Sequence, residues 1–202
     1  SSSNNVIIGH QTAKNDTTGE ENVIIGTLAS GTGNSNVLLG GNVDGGSYSN
    51  TVIVGVDSVA TSNNCTVVGF NGSASLNSVA IGTNALFTQN PASATDMHNV
   101  GVGYHAGFSI TTGTNNTLIG GLCGDNLTTG DLCTKIGFNL QESAVGVDNE
   151  IMMGTNITGA GANTIRLGTA AGNATLNFKD LNFESGKLEI KNTSIKNSSF
   201  LA

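Results

Sequence analysis

Charge and aromatic rings are scarce in this chain. Only 10% of its 202 residues are Asp, Glu, Lys or Arg, 4% are aromatic, and there is no Trp. A conventional globular core draws much of its buried area from bulky side chains, so a single large core is excluded as the organising unit. Seven Lys and Arg stand against 14 Asp and Glu. No basic stripe exists, so nucleic acid is not an expected partner. No apolar run reaches 18 residues, so no membrane span is expected, and Ser1 does not begin a signal peptide; the polar start and end are read as those of a fragment of a longer chain. Proline occurs once, at Pro91, as continuous backbone ladders require. The three cysteines, Cys65, Cys123 and Cys133, lack CxxC spacing, which disfavours zinc.

Glycine is plentiful, and eleven of the 29 glycines each end a short apolar stretch. They are Gly9, Gly26, Gly40, Gly55, Gly69, Gly82, Gly103, Gly120, Gly137, Gly154 and Gly168, separated by 17, 14, 15, 14, 13, 21, 17, 17, 17 and 14 residues. Such a period is too short for a helix pair or a propeller blade. It matches one coil of a parallel β-solenoid, in which each coil stacks on the last and none is stable alone. The fold class is therefore all-β: a parallel β-roll of about 11 coils over residues 1–172. Residues 173–202 break the repeat.

Within each repeat the apolar residues alternate. Pairs such as Val6/Ile8, Val23/Ile25, Val37/Leu39, Val52/Val54 and Val79/Ile81 lie three and one before the glycine, on one strand face. We expect these pairs to fill the core, opposite small residues three after the glycine such as Ala29, Val43, Ala85 and Ala106. The residue two before the glycine then points outward. Ile7, Ile24, Leu38, Ile53, Val67 and Ala80 would form an apolar stripe too long for a soluble monomer. This column is the expected interface of a homotrimer, although strand-favouring residues on an exposed face would read the same way.

Asn5, Asn22, Asn36, Asn99 and Asn116 lead their strands, either as stacked amide ladders or as ordinary turn residues. Thr17-Thr18-Gly19, Thr111-Thr112-Gly113 and Thr128-Thr129-Gly130 each enlarge one turn of a 17-residue coil. Cys65 and Cys133 occupy the same repeat position about five coils apart. At about 4.8 Å per coil that is roughly 24 Å, beyond a disulfide. Cys123 and Cys133 lie within one coil, either bonded to each other or free as small core thiols.

Asn77-Ser-Val-Ala-Ile-Gly82 resembles the repeat of the YadA-like head domains of trimeric autotransporter adhesins. The segment Thr111 to Gly120 is similar to repeats in viral tail-fibre and spike proteins, and Asn163 to Gly168 resembles the closing repeat of such fibres. The likeness covers about residues 4 to 172. It implies a left-handed parallel β-roll, assembled as a homotrimer, that displays an attachment surface. The coil length is irregular and no neck motif of the bacterial adhesins follows, which points to a virion tail fibre or spike, with the bacterial outer-membrane surface as the alternative setting. An ice-binding solenoid is the minor alternative, because paired threonines recur in only three coils.

No catalytic or metal constellation is expected. The carboxylates are scattered, and Gly101-x-Gly103-x-x-x-Gly107 lacks the following helix of a phosphate loop. His10, His98 and His105 fall near turns. No enzyme activity and no cofactor is assigned. The partners expected are two further copies of the chain and a host-cell receptor, either glycan or protein. The longest gap, between Gly82 and Gly103, concentrates larger residues: Leu86, Phe87, Pro91, Met97 and His98. Leu86, Phe87, Met97 and His98 are the candidate binding residues, and a neutral loop or buttress is the plainer reading of the same insert. Residues 177–202 alternate apolar with charged positions and are expected to cap the roll and lead to the next fibre module.

Overall fold

A computed structural model of the chain describes residues 3–13, 19–89 and 96–169. Those residues contain strands and turns and no helix. Eleven strands form one parallel sheet. In order they are β1 (Val6–Ile8), β2 (Val23–Thr27), β3 (Val37–Gly41), β4 (Val52–Val56), β6 (Thr66–Phe70), β8 (Val79–Ile81), β9 (Val100–Val102), β10 (Thr117–Ile119), β11 (Thr134–Gln141), β12 (Ile151–Thr158) and β13 (Ile165–Thr169). Two short strands, β5 (Val59–Ala60) and β7 (Ser73–Ala74), pair on a second wall. Eleven stacked strands enclose about ten full turns, so the molecule is a β-solenoid. The cap and crossover expected at residues 173–202 lie outside the described residues, as does Pro91.

The register follows the repeat. Val23, Ile24, Ile25 and Gly26 pair with Val37, Leu38, Leu39 and Gly40, and the alignment continues coil by coil to Gly154 and Gly168. Coils of 17 residues keep it, because their extra residues enter away from the strand: Thr117 pairs with Thr134 and with Val100. Each coil turns at two left-handed residues. One lies five before the motif glycine, with φ of 48 to 60° from Asn4 through Asn163; the other lies two after it, with φ of 51 to 58° from Gln11 through Asn156. Asparagine holds seven of the first set and five of the second. Its short polar side chain tolerates this region better than other non-glycine residues.

The strand faces are the reverse of the sequence expectation. Ile24, Leu38, Ile53, Val67, Ala80, Leu118, Lys135 and Met152, all two before the glycine, are at most 1% exposed and fill the interior of the roll. Ile7 is open because it lies in the first coil. The flanking pairs face out: Val6, Ile8, Ile25, Val52, Ile81, Ile119, Met153, Ile165 and Leu167 are at least a third exposed. The column expected to line a trimer axis is thus the core of a single chain.

The reason is steric. Positions four before, two before and at the glycine share one strand face. The motif glycine stands where the next coil's backbone passes, and an asparagine fits four before it. Before the glycine only one large side chain per strand then fits inside, opposite a second wall that is small at Ala29, Val43, Ser58, Ala85, Ala106 and Cys123 and larger at Leu140 and Ile157, where β11 and β12 run on past the glycine. The inward direction of that second wall is as the sequence indicated.

Polar residues reinforce the interior. Asn22, Asn36, Asn99 and Asn116 are buried. In each, Oδ1 accepts the backbone N–H of the equivalent residue one coil on, at 2.8 to 2.9 Å. Each Nδ2 donates across the coil to a backbone carbonyl, of Gly33, Tyr48, Gly113 and Gly130 respectively, at 2.7 to 2.9 Å. The asparagines are amide-to-backbone struts, which resolves the two readings of these residues. The three cysteines are free and buried, so the Cys123–Cys133 disulfide is not formed.

Candidate interaction surfaces

Outward-facing positions three before, one before and one after each motif glycine make a continuous sheet face. Through the first six strands of the sheet it is apolar except at a few positions: Val23, Ile25, Val37, Leu39, Val52, Val54, Val68, Val79 and Ile81, with Thr66 and Thr27 among them. The pairing registers align these side chains coil over coil into columns. Soluble monomers seldom show an apolar strip of this length. The face carries no charged residue from β2 through β8 at the positions three and one before the glycine.

At the corner that follows the sheet face, aromatic residues gather in a chain that has few. Phe87 and Phe108, from successive coils, stack with centroids 5.2 Å apart and planes 11° apart. The ring of His105 lies 4.6 Å from that of Phe108, and the ring of Tyr104 lies 4.1 Å from that of His105. Phe87 and Tyr104 are exposed. Nδ2 of Asn84 meets Nε2 of His105 at 2.9 Å, and Nδ2 of Asn71 donates to Oδ1 of Asn84 at 2.7 Å. The result is a ring stack edged by an amide ladder.

The four candidate binding residues divide. Leu86 and Met97 are fully buried and belong to the roll, so neither can touch a ligand in this arrangement. Phe87 is 39% exposed and sits in the ring stack. His98 is exposed but occupies the left-handed corner five residues before Gly103, away from the ring stack in coil position. The sequence singled out the coil between Gly82 and Gly103 for its larger residues and passed over Tyr104, His105 and Phe108, which follow Gly103 and complete the ring stack. The signal was present: both coils carry an aromatic residue five after the motif glycine, which stacks them one above the other.

Among the described residues no group of three or more His, Cys, Asp and Glu is placed to hold a metal ion, and no helix is long and apolar enough to cross a membrane. The described residues contain one buried charged cluster. Lys135 Nζ lies 3.3 Å from Oε2 of Glu142 and 3.3 Å from Oε2 of Glu150. Burial pushes the Cys65 thiol up to about 11, and raises Cys123 and Cys133 as well, which keeps these thiols protonated and inert as nucleophiles. No protein-family model, no curated protein and no solved structure matches the chain.

Proposed function

We propose that the chain is a structural segment of a trimeric attachment fibre displayed on a virion surface, a left-handed β-roll whose copies associate through the apolar sheet face. The observation that carries this reading is that face. Its columns run the length of the stacked strands, and a stable fibre must cover them. Coverage by further copies of the same chain suits a face that repeats with the coil. The axis-lining side chains are then Val23, Ile25, Val37, Leu39, Val52 and Val54 and their equivalents, rather than the buried central column.

Attachment is assigned to the corner bearing Phe87, Tyr104, His105 and Phe108, where the regular outline of the roll is broken by large side chains. Three copies would combine weak contacts by avidity. No catalytic step is assigned. Light scattering on the purified chain tests the assembly: a mass three times 20.3 kDa is expected, and a monomer contradicts it. The Phe87→Ser/Tyr104→Ser double variant tests the corner. It should keep the assembled mass and lose binding to host cells identified from the neighbouring genes; undiminished binding places attachment elsewhere.

A further inference from the structure

Lys135 is the one charged residue in the buried central column. Register places it between Leu118 of β10 and Met152 of β12, both fully buried. Its Nζ touches two carboxylates at 3.3 Å each, and side-chain exposures of the three groups are 0% for Lys135, 3% for Glu142 and 0% for Glu150. One ammonium against two carboxylates leaves an unbalanced charge in a dry interior, a costly arrangement.

The carboxylates are not equivalent. Glu150 is anchored: its Oε1 accepts the N–H of Gly161 at 3.1 Å, and a Cβ on Gly159 would come within 1.8 Å of that oxygen. Glu142 Oε1 is buried and has no hydrogen-bond partner. We propose that Lys135 and Glu142 join in an intramolecular amide bond, formed within the folded roll with Glu150 as the proton-transfer group.

The step balances without any added reagent. It starts from the Lys135 ammonium, the Glu150 carboxylate and the protonated carboxyl of Glu142. Burial, partly offset by the nearby Lys135, raises the Glu142 carboxyl above its ordinary range, which favours this acid form. The ammonium passes a proton to Glu150, and the freed Nζ lone pair attacks Cδ of Glu142. The Glu142 hydroxyl then leaves as water, taking the proton back from Glu150. The remaining excess proton on the new amide nitrogen passes to Glu150, which ends neutral. One C–N bond forms, one C–O bond breaks, and the interior finishes with no charge. Fixed proximity replaces activation: the amine and the acid are held in contact, away from water that would hydrate both.

Intact mass spectrometry of the purified full chain, shown to be folded by circular dichroism, tests this. The chain is expected to be lighter than its sequence mass by one water. Chymotrypsin cuts at Phe138, between the two residues, and should release two peptides still joined through Lys135 and Glu142. Trypsin should leave Lys135 uncut. A folded chain at its full sequence mass overturns the proposal, and so does a water loss mapped to Glu150 or to any other site. In Glu150→Gln, folded by the same criterion, the bond should fail to form and the mass should return to the sequence value. If that variant still loses water at Glu142, the role given to Glu150 is wrong.

Discussion

At Gly55 the backbone has φ of 158°, and a Cβ built there would fall 1.7 Å from the carbonyl oxygen of Gly69 in the next coil. Two independent causes therefore require glycine: a left-handed conformation and the close approach of neighbouring coils. Gly55→Ala must separate two coils or twist a strand, and we expect a loss of at least about 3 kcal/mol, with thermal unfolding as the check. Single residues also set the chemistry of the interior. Cys65 has its folded value raised to about 11 from 9.0, mainly by burial. A folded value above the unfolded one means that the neutral thiol is favoured by folding, so its contribution is complete below pH 9 and fades as pH rises towards 11. Thiol labelling at pH 8 should find no reactive cysteine in the folded chain and three after denaturation, and native labelling of Cys65 would contradict its burial.

Elements in this fold are defined by their ladders. Asn116 satisfies two buried backbone groups at once, accepting from the Cys133 N–H and donating to the Gly130 carbonyl, at 2.8 Å each. Asn116→Ala leaves both without a partner, and the expected cost is about 2 to 5 kcal/mol by denaturant titration. Asn115, one residue away, is exposed at a corner, and Asn115→Gly should change stability little because glycine accepts its φ of 59°. This pair separates strut from corner. Strand positions, register and coil lengths were legible in the sequence, because glycine spacing and period-two alternation report them directly. Which face of a strand is inside was not, since Val52/Val54 and Ile53 are all β-branched and alternation alone is symmetric. The parity of Asn36 and Gly40 with Leu38 carried the missing information: a strut and an unfillable position share the inner face with the residue between them. The Phe87 stack was legible only through the repeat, as Phe108 lies 21 residues on but at the same position, five after its motif glycine.

At the scale of the molecule, the described residues form a stack whose interior closes within one chain while one outer face stays apolar. That division separates two kinds of damage. A charge in the central column should strike the core of the chain itself, whereas a charge on the sheet face should strike only the association proposed between copies. The most direct measurement is the light-scattering mass of Val54→Asp beside that of Leu38→Asp, each with its circular dichroism spectrum. We expect Val54→Asp to keep the β spectrum of the parent and fall to a single-chain mass of about 20.3 kDa, while Leu38→Asp loses the fold. A Val54→Asp chain that keeps the mass of an assembled parent, or a folded Leu38→Asp chain reduced to monomer, would contradict the assignment of the two faces.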